Sequence, residues 1–292
     1  MNNLEIARKQ KNIGIPFVLF VLCFLAAYVL PLSALFRFAY NDGTFSYIVI
    51  VPPVSFYLLY ADRKSIFAVE RGNTVSGYVF LAGAAILYFL GRMVGGGGSN
   101  TNHFFIGLSA VCFLAGAIGI IWGKTALKNA AFPLAFLLFM APFPPFLIDP
   151  VIRFLQACSA EASYIFFKLT GVPVYRDGFL FHLPGISIEV AKECSGIRSS
   201  LSLFLVSLLA GHLTLRDNWR KGILSLTVIP ITIVKNAVRI VTLSLLAVYV
   251  DPRALGTVAH RRGGIPIFLL ALLLLGCVLW LLRRGESKET PQ

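Results

Sequence analysis

Eight long apolar runs, at 13–36, 45–60, 75–91, 103–123, 130–148, 197–214, 222–250 and 264–282, dominate the chain. A helix that crosses the hydrocarbon core of a bilayer needs about 20 such residues, within a range of about 17–25. A soluble fold has no means of covering so much apolar surface. Hydrophobic residues make up 57% of the 292 and charged ones only 13%, whereas a soluble domain carries roughly 25% charged residues. The expected architecture is an all-α polytopic membrane protein of about eight transmembrane helices, forming a single integral-membrane domain over 1–292. Seven or nine spans fit the same pattern. Two runs are short, and 45–60 also contains Pro52 and Pro53, which suit a kinked or partly re-entrant helix. The first run is longer than the roughly 7–15-residue apolar region of a signal peptide, and no small-residue cleavage site closes it. It is expected to stay in the mature protein.

The basic residues set the orientation. The 26 Lys and Arg outnumber the 13 Asp and Glu, for a net charge of +13. They lie in short clusters between apolar runs: Arg8, Lys9 and Lys11; Arg63, Lys64 and Arg71; Lys124 and Lys128; Arg216, Arg220 and Lys221; Arg283, Arg284 and Lys288. Alternate loops carry these clusters, so the positive-inside rule puts both termini in the cytoplasm. Arg261 and Arg262, in an outside loop, run against that rule. Clusters of this kind are membrane flanks and not a nucleic-acid-binding face, so the expected surroundings are membrane lipid, with no nucleic-acid partner. Five scattered cysteines form no C-x-x-C pair, which argues against a zinc site or disulfide framework; no metal or cofactor is expected. The glycine run 95–98 follows no strand and opens no phosphate-binding helix, and reads as a flexible outside loop.

One polar stretch, 149–196, falls outside the membrane as an extracytoplasmic insertion. Residues 151–169 are apolar but interrupted by Arg153, Gln156, Glu161 and Lys168, the pattern of an interfacial amphipathic helix. Cys158 in that helix reads as packing. Short β-branched and aromatic runs follow at 172–175, 179–183 and 186–190, separated by Asp177-Gly178 and Pro184-Gly185, and predict a small β-meander before the sixth helix. The last strand leads into Glu193-Cys194-Ser195-Gly196, which sets Cys194 between a strand and the first turn of a helix. A helix N-terminus favours the thiolate, the nucleophilic form of cysteine, and its first-turn N–H groups can hold an oxyanion. Read alone, with no base adjacent, Cys194 fits a small residue beside a turn better than a nucleophile.

The run 222–250 contains Pro230, Lys235, Asn236 and Arg239. Lys235 and Arg239 are spaced i, i+4 and share a helix face. Facing lipid at the bilayer centre, each would cost about 2.5–3.5 kcal/mol, so they are expected to face the bundle interior, water or the outer interface. Arg239 rises about 25 Å from the cytoplasmic start, close to the outer boundary where Cys194 falls. Snorkelling to the headgroups is the plainer account of that arginine. His260, just before the last run, lands on the same outer face and has the chemistry of a general acid/base. His212 ends the sixth run on the opposite side, His182 falls in a strand and His103 in the glycine loop. A thiol, a guanidinium and an imidazole from three separate regions therefore map to one membrane face.

The blocks Glu193-Cys194-Ser195-Gly196-Ile197-Arg198-Ser199 and Asn236-Ala237-Val238-Arg239-Ile240, with His260 followed by glycines, resemble the three signatures of the exosortase/archaeosortase family in order and spacing. The resemblance implies a membrane cysteine transpeptidase. Members cleave C-terminal sorting signals of exported proteins, made of a short motif such as PEP, a transmembrane helix and a basic tail, and transfer the product to a cell-surface acceptor. It implies the cytoplasmic (inner) membrane of a bacterium or archaeon, with the active site on the outer face. Carried over, Cys194 is the nucleophile, Arg239 the transition-state stabiliser and His260 the acid/base, although Arg261 is an alternative for the third position. Arg198, Asn236 and Lys235 are the candidate substrate-binding residues. A transporter, which would show matched broken helices near the midplane, and a polysaccharide-export subunit are the rival readings.

Overall fold

Each apolar run is helical in the computed structural model, which describes residues 3–67, 74–94, 99–192, 196–250 and 264–289. The described chain forms two compact units, Met1–Leu147 and Ile148–Gln292. Among the described residues, seven helices are long and apolar enough to cross a membrane, or eight if Ala131–Met140 and Pro145–Thr170 together make one broken span. The protein is an all-α multi-pass membrane protein with one small antiparallel sheet.

The first unit contains α1 (Asn3–Asn41), α2 (Val51–Ala61), α3 (Arg63–Ile66), α4 (Val75–Met93), α5 (Asn100–Ile121), α6 (Lys124–Asn129) and α7 (Ala131–Leu137). Prolines explain where the runs depart from single helices. Pro52 and Pro53 do not kink a helix from within. They stand at the first positions of α2, where proline's missing N–H costs nothing, and a 3-10 turn over Gly43–Val49 precedes them. Asp42 caps that turn, its Oδ1 accepting from the Thr44 N–H at 2.8 Å. The run 130–148 is likewise not one helix: it stops at Met140, and α8 (Pro145–Thr170) begins beyond Pro142 and Pro144. His103 is also placed differently from the sequence reading. It is buried in the first turn of α5 and packs against Phe38 with the rings tilted, centroids 5.1 Å apart. The glycine run 95–98 lies outside the described residues.

Small residues and polar links hold the first unit together, as expected where lipid removes the hydrophobic drive between helices. A Cβ on Gly77 of α4 would come within 2.6 Å of the Ile120 backbone nitrogen, and one on Gly119 within 2.9 Å of the Gly77 Cα. The two backbones touch there. Tyr28 and Ser109 share a hydrogen bond of 2.6 Å, and the Ser109 hydroxyl donates to the Ala84 carbonyl at 2.7 Å. Gly77→Val is expected to lower stability by about 1–3 kcal/mol through overpacking, read as a drop of several degrees in the melting of detergent-solubilised protein. Gly83, on the same helix, has nothing within 4 Å of an added Cβ. Gly83→Ala is expected to leave melting unchanged or to raise it.

The second unit takes in the rest of α8, the strands β1 (Tyr175–Asp177), β2 (Leu180–Leu183) and β3 (Ile186–Glu189), then α9 (Ile197–Thr214), α10 (Asn218–Tyr249) and α11 (Gly264–Glu289). The strands pair in sequence order, β1-β2-β3, each antiparallel to the next, as the turn dipeptides predict. Gly178 and Gly185 take the left-handed conformation at the two turns. The inner face of the sheet packs between two helices: Phe181 and Leu183 meet Phe167 of α8 and Ile240 and Val241 of α10. Gln156 of α8 donates to the Val190 carbonyl at 2.6 Å, and Arg176 pairs with Glu161 at 2.6 Å. The meander is thereby fixed beside the latter half of α10, and the chain leaving it enters α9 there.

A leucine-rich core joins α9, α10 and α11 through Leu203, Leu224, Val228, Ile231, Ala271 and Leu275. At the far end of α10, a Glu286 oxygen accepts from the N–H groups of Arg216 and Asp217, both at 2.8 Å, so the end of α11 caps the start of α10. The two helices are antiparallel. The end of α10 and the start of α11 therefore share one end of the unit.

Candidate active site

Gly196 opens α9 with φ at 76°, the left-handed conformation, which suits glycine. Its carbonyl accepts from the Ser200 N–H at 2.9 Å and from the hydroxyls of Ser199 and Ser200 at 3.0 and 2.7 Å. Those bonds tie the turn to the helix it starts. From the opposite side Asn236 of α10 packs on the glycine: a Cβ there would lie 3.4 Å from the amide carbon and oxygen of Asn236.

On α10, Lys235 and Asn236 are 5% and 3% exposed, well short of what lipid-facing positions on a membrane helix show. Lys235 Nζ donates to Ser199 Oγ of α9 and lies 5.8 Å from the ring centroid of Phe268 on α11. Arg239 follows one turn later, about 32 Å along the helix from Asn218. Lys235, Asn236 and Arg239 line one cavity of about 550 Å³ with Gly196, Arg198, Ser199 and Ser202 of α9 and with Gly264, Ile265, Ile267, Phe268 and Leu269 of α11. The shared face read from their spacing is thus a cavity wall. Three cations border the space, and among the described lining residues none is Asp or Glu. Such a cavity favours an anionic or electron-rich guest over a cation.

Of the six candidate site residues, Arg198, Lys235, Asn236 and Arg239 come together here. Cys194 and His260 lie outside the described residues, as do Glu193 and Arg261. Gly196 is the second residue after Cys194 and Gly264 the fourth after His260, and both line the cavity. Sequence reasoning missed the contributions of Ser202 and Phe268. Ser199 and Ser202, three apart in an apolar span, form a polar stripe that marks a cavity-facing side.

The remaining histidines and cysteines stand elsewhere. His212 is in the last turn of α9, about 24 Å along the helix from Gly196. His182 Nδ1 shares a 2.9 Å hydrogen bond with Ser187, and its ring stacks on Tyr175. Cys158 is half-buried in α8, while Cys23 and Cys277 are exposed on spanning helices. Among the described residues no group of three His, Cys, Asp or Glu is arranged to hold a metal ion. Pro230 lies inside the continuous helix α10, which supplies no broken element of the kind transporters use.

The profile of the transmembrane exosortases matches residues 39–277 of the chain. Searches of curated proteins and of solved structures returned no match.

Proposed function

Because the chain belongs to the transmembrane exosortase family, we propose that it is a cysteine transpeptidase that cleaves C-terminal sorting signals of exported proteins at the outer face of a bacterial or archaeal cytoplasmic membrane. Both termini lie in the cytoplasm, and residues 149–196 form the extracytoplasmic insertion of a single integral-membrane domain over 1–292. The observation that carries this reading is the cationic cavity. It gathers Arg198, Lys235, Asn236 and Arg239 against Gly196 and Gly264, the glycines that follow Cys194 and His260 by two and four residues. Chain segments of those lengths reach at most about 7 and 14 Å.

In this mechanism the Cys194 thiolate attacks the scissile carbonyl, forming a C–S bond and a tetrahedral oxyanion. Arg239 and first-turn amides of α9 hold that charge in a site shielded from bulk water. His260 gives a proton to the departing amine as the C–N bond breaks, which leaves a thioester on Cys194. It then takes a proton from the acceptor amine, or from water, as that nucleophile attacks the thioester and the C–S bond breaks, which restores the thiolate and the protonated histidine. Arg198, Asn236 and Lys235 line the space for the sorting motif, and Arg198 is the exposed cation available to an acidic side chain of that motif. The substrate's own membrane helix enters sideways from lipid.

The test is to trap the intermediate. Membranes holding the full chain and a co-expressed exported protein with a C-terminal signal are quenched in acid and analysed by mass spectrometry. The expected species is a Cys194 peptide carrying the exported protein's new C-terminus as a thioester, released by hydroxylamine. Signal cleavage without such an adduct, and undiminished in Cys194→Ser, would overturn the proposal.

A further inference from the structure

Lys235 is an expensive residue to bury. An ammonium at 5% exposure on a membrane-spanning helix is tolerated only where specific partners compensate its lost hydration. Among the described residues no carboxylate pairs with it. Its partners are a neutral hydroxyl, Ser199 Oγ, and the face of the Phe268 ring. Replacing the lysine with an apolar side chain would remove that burden, so stability alone does not account for it.

The partners of this side chain share one property. Ser199 belongs to the first turn of α9 and passes the contact on, its hydroxyl donating to the Gly196 carbonyl at 3.0 Å. Gly196 rests on Asn236, the neighbour of Lys235. Phe268 belongs to the first turns of α11, four residues after Gly264. Arg239 stands one turn along α10 from the lysine itself. A single ammonium thus touches α9 and α11 from α10, at the starts of the two helices and one turn from the arginine.

Resting on the reading of Cys194 as nucleophile, we infer that Lys235 is a positioning residue. Its ammonium, acting through Ser199, holds the Gly196 turn against α10 and so sets the approach of the segment bearing Cys194 to the start of α9. Its alkyl stem forms cavity wall while its charged end is committed to Ser199. The contact is directional: a hydroxyl that accepts from the ammonium is turned to donate its own proton to the Gly196 carbonyl. Removing either partner releases the same turn.

The experiment measures the thiol rather than turnover. The full chain in native membranes is alkylated with N-ethylmaleimide from about pH 5 to 10, and the rate at Cys194 is followed by peptide mass spectrometry. Wild type, Lys235→Met, Ser199→Ala and the double variant are compared, with Cys158 of the same unit as an internal control. A thiol stabilised as thiolate by a helix start titrates below the ordinary value of about 8.5. The wild-type midpoint is expected there. Lys235→Met and Ser199→Ala are each expected to raise it by at least about half a pH unit, and the double variant no further than the larger single.

A depressed wild-type midpoint that neither variant moves would overturn the positioning role while leaving the nucleophile reading standing. A wild-type midpoint near 8.5 would overturn both. A shift in Lys235→Met without one in Ser199→Ala would mean that the lysine acts by its field alone, and would also overturn the inference. If Lys235→Met alters Cys158 as well, Ser199→Ala decides, since it deletes one hydroxyl: a shift upholds the positioning role and none overturns it.

Discussion

Cys194→Ala is expected to reduce cleavage of the sorting signal by at least about 10³-fold, to the background given by membranes without the protein. The size of the loss follows from the chemistry. Without sulfur there is no thioester, and the remaining groups can only polarise a carbonyl that water must then attack. The change removes one heavy atom, so the protein is expected to remain in the membrane at wild-type abundance and to melt within a few degrees of wild type. Signal processing is measured by the size of the exported protein on a gel, and abundance by immunoblot of the same membranes. A transporter or a polysaccharide-export subunit predicts the opposite: the thiol is incidental, and its loss leaves function intact. Unchanged maturation in Cys194→Ala would remove the enzyme reading altogether.

Arg239→Ala is expected to slow the single-turnover cleavage rate by about 10²–10³-fold, equivalent to about 3–4 kcal/mol of lost oxyanion stabilisation. Arg239→Lys is expected to recover little of it, because an ammonium is a single compact charge and lacks the planar, two-pronged donor set of a guanidinium. The stability effect should be small. Arg239 lies four residues from Lys235 on the same face of α10, and like charges so spaced repel. Arg239→Ala removes that unfavourable pair and is expected to melt within a few degrees of wild type. Loss of rate with retained stability separates a chemical role from a structural one. A rate within threefold of wild type would strike Arg239 from the mechanism and return it to the plainer account, a long side chain reaching for headgroups.

The spanning helices were legible because span length and apolarity are local properties, readable one stretch at a time. The run 197–214 reappears as α9 with the same bounds, and 75–91 within two residues as α4. The meander was legible too, since Asp177-Gly178 and Pro184-Gly185 specify turns wherever they stand. The differences have two causes. Pro52-Pro53 read as a kink or re-entrant bend and 130–148 as one unbroken run, whereas proline at a helix start is a boundary. His103 was assigned by its nearness to the glycine run. Its burial against Phe38 depends on α1, more than sixty residues earlier in the chain, and nothing local encodes that.

For the candidate site the division is similar. The sequence alone determined that Lys235 and Arg239 share a face and that this face could not be left to lipid, because a 3.6-residue repeat and the cost of a charge in hydrocarbon do not depend on neighbours. Only the tertiary structure decided what stands opposite: Ser199 and Gly196 from α9, Phe268 and Gly264 from α11, closing one cavity around three cations. That convergence is a property of packing among distant segments, set by the Leu203–Leu224–Leu275 core that joins the three helices and by the meander wedged between α8 and α10. Side chains forty or seventy residues apart in sequence carry no local record of their meeting.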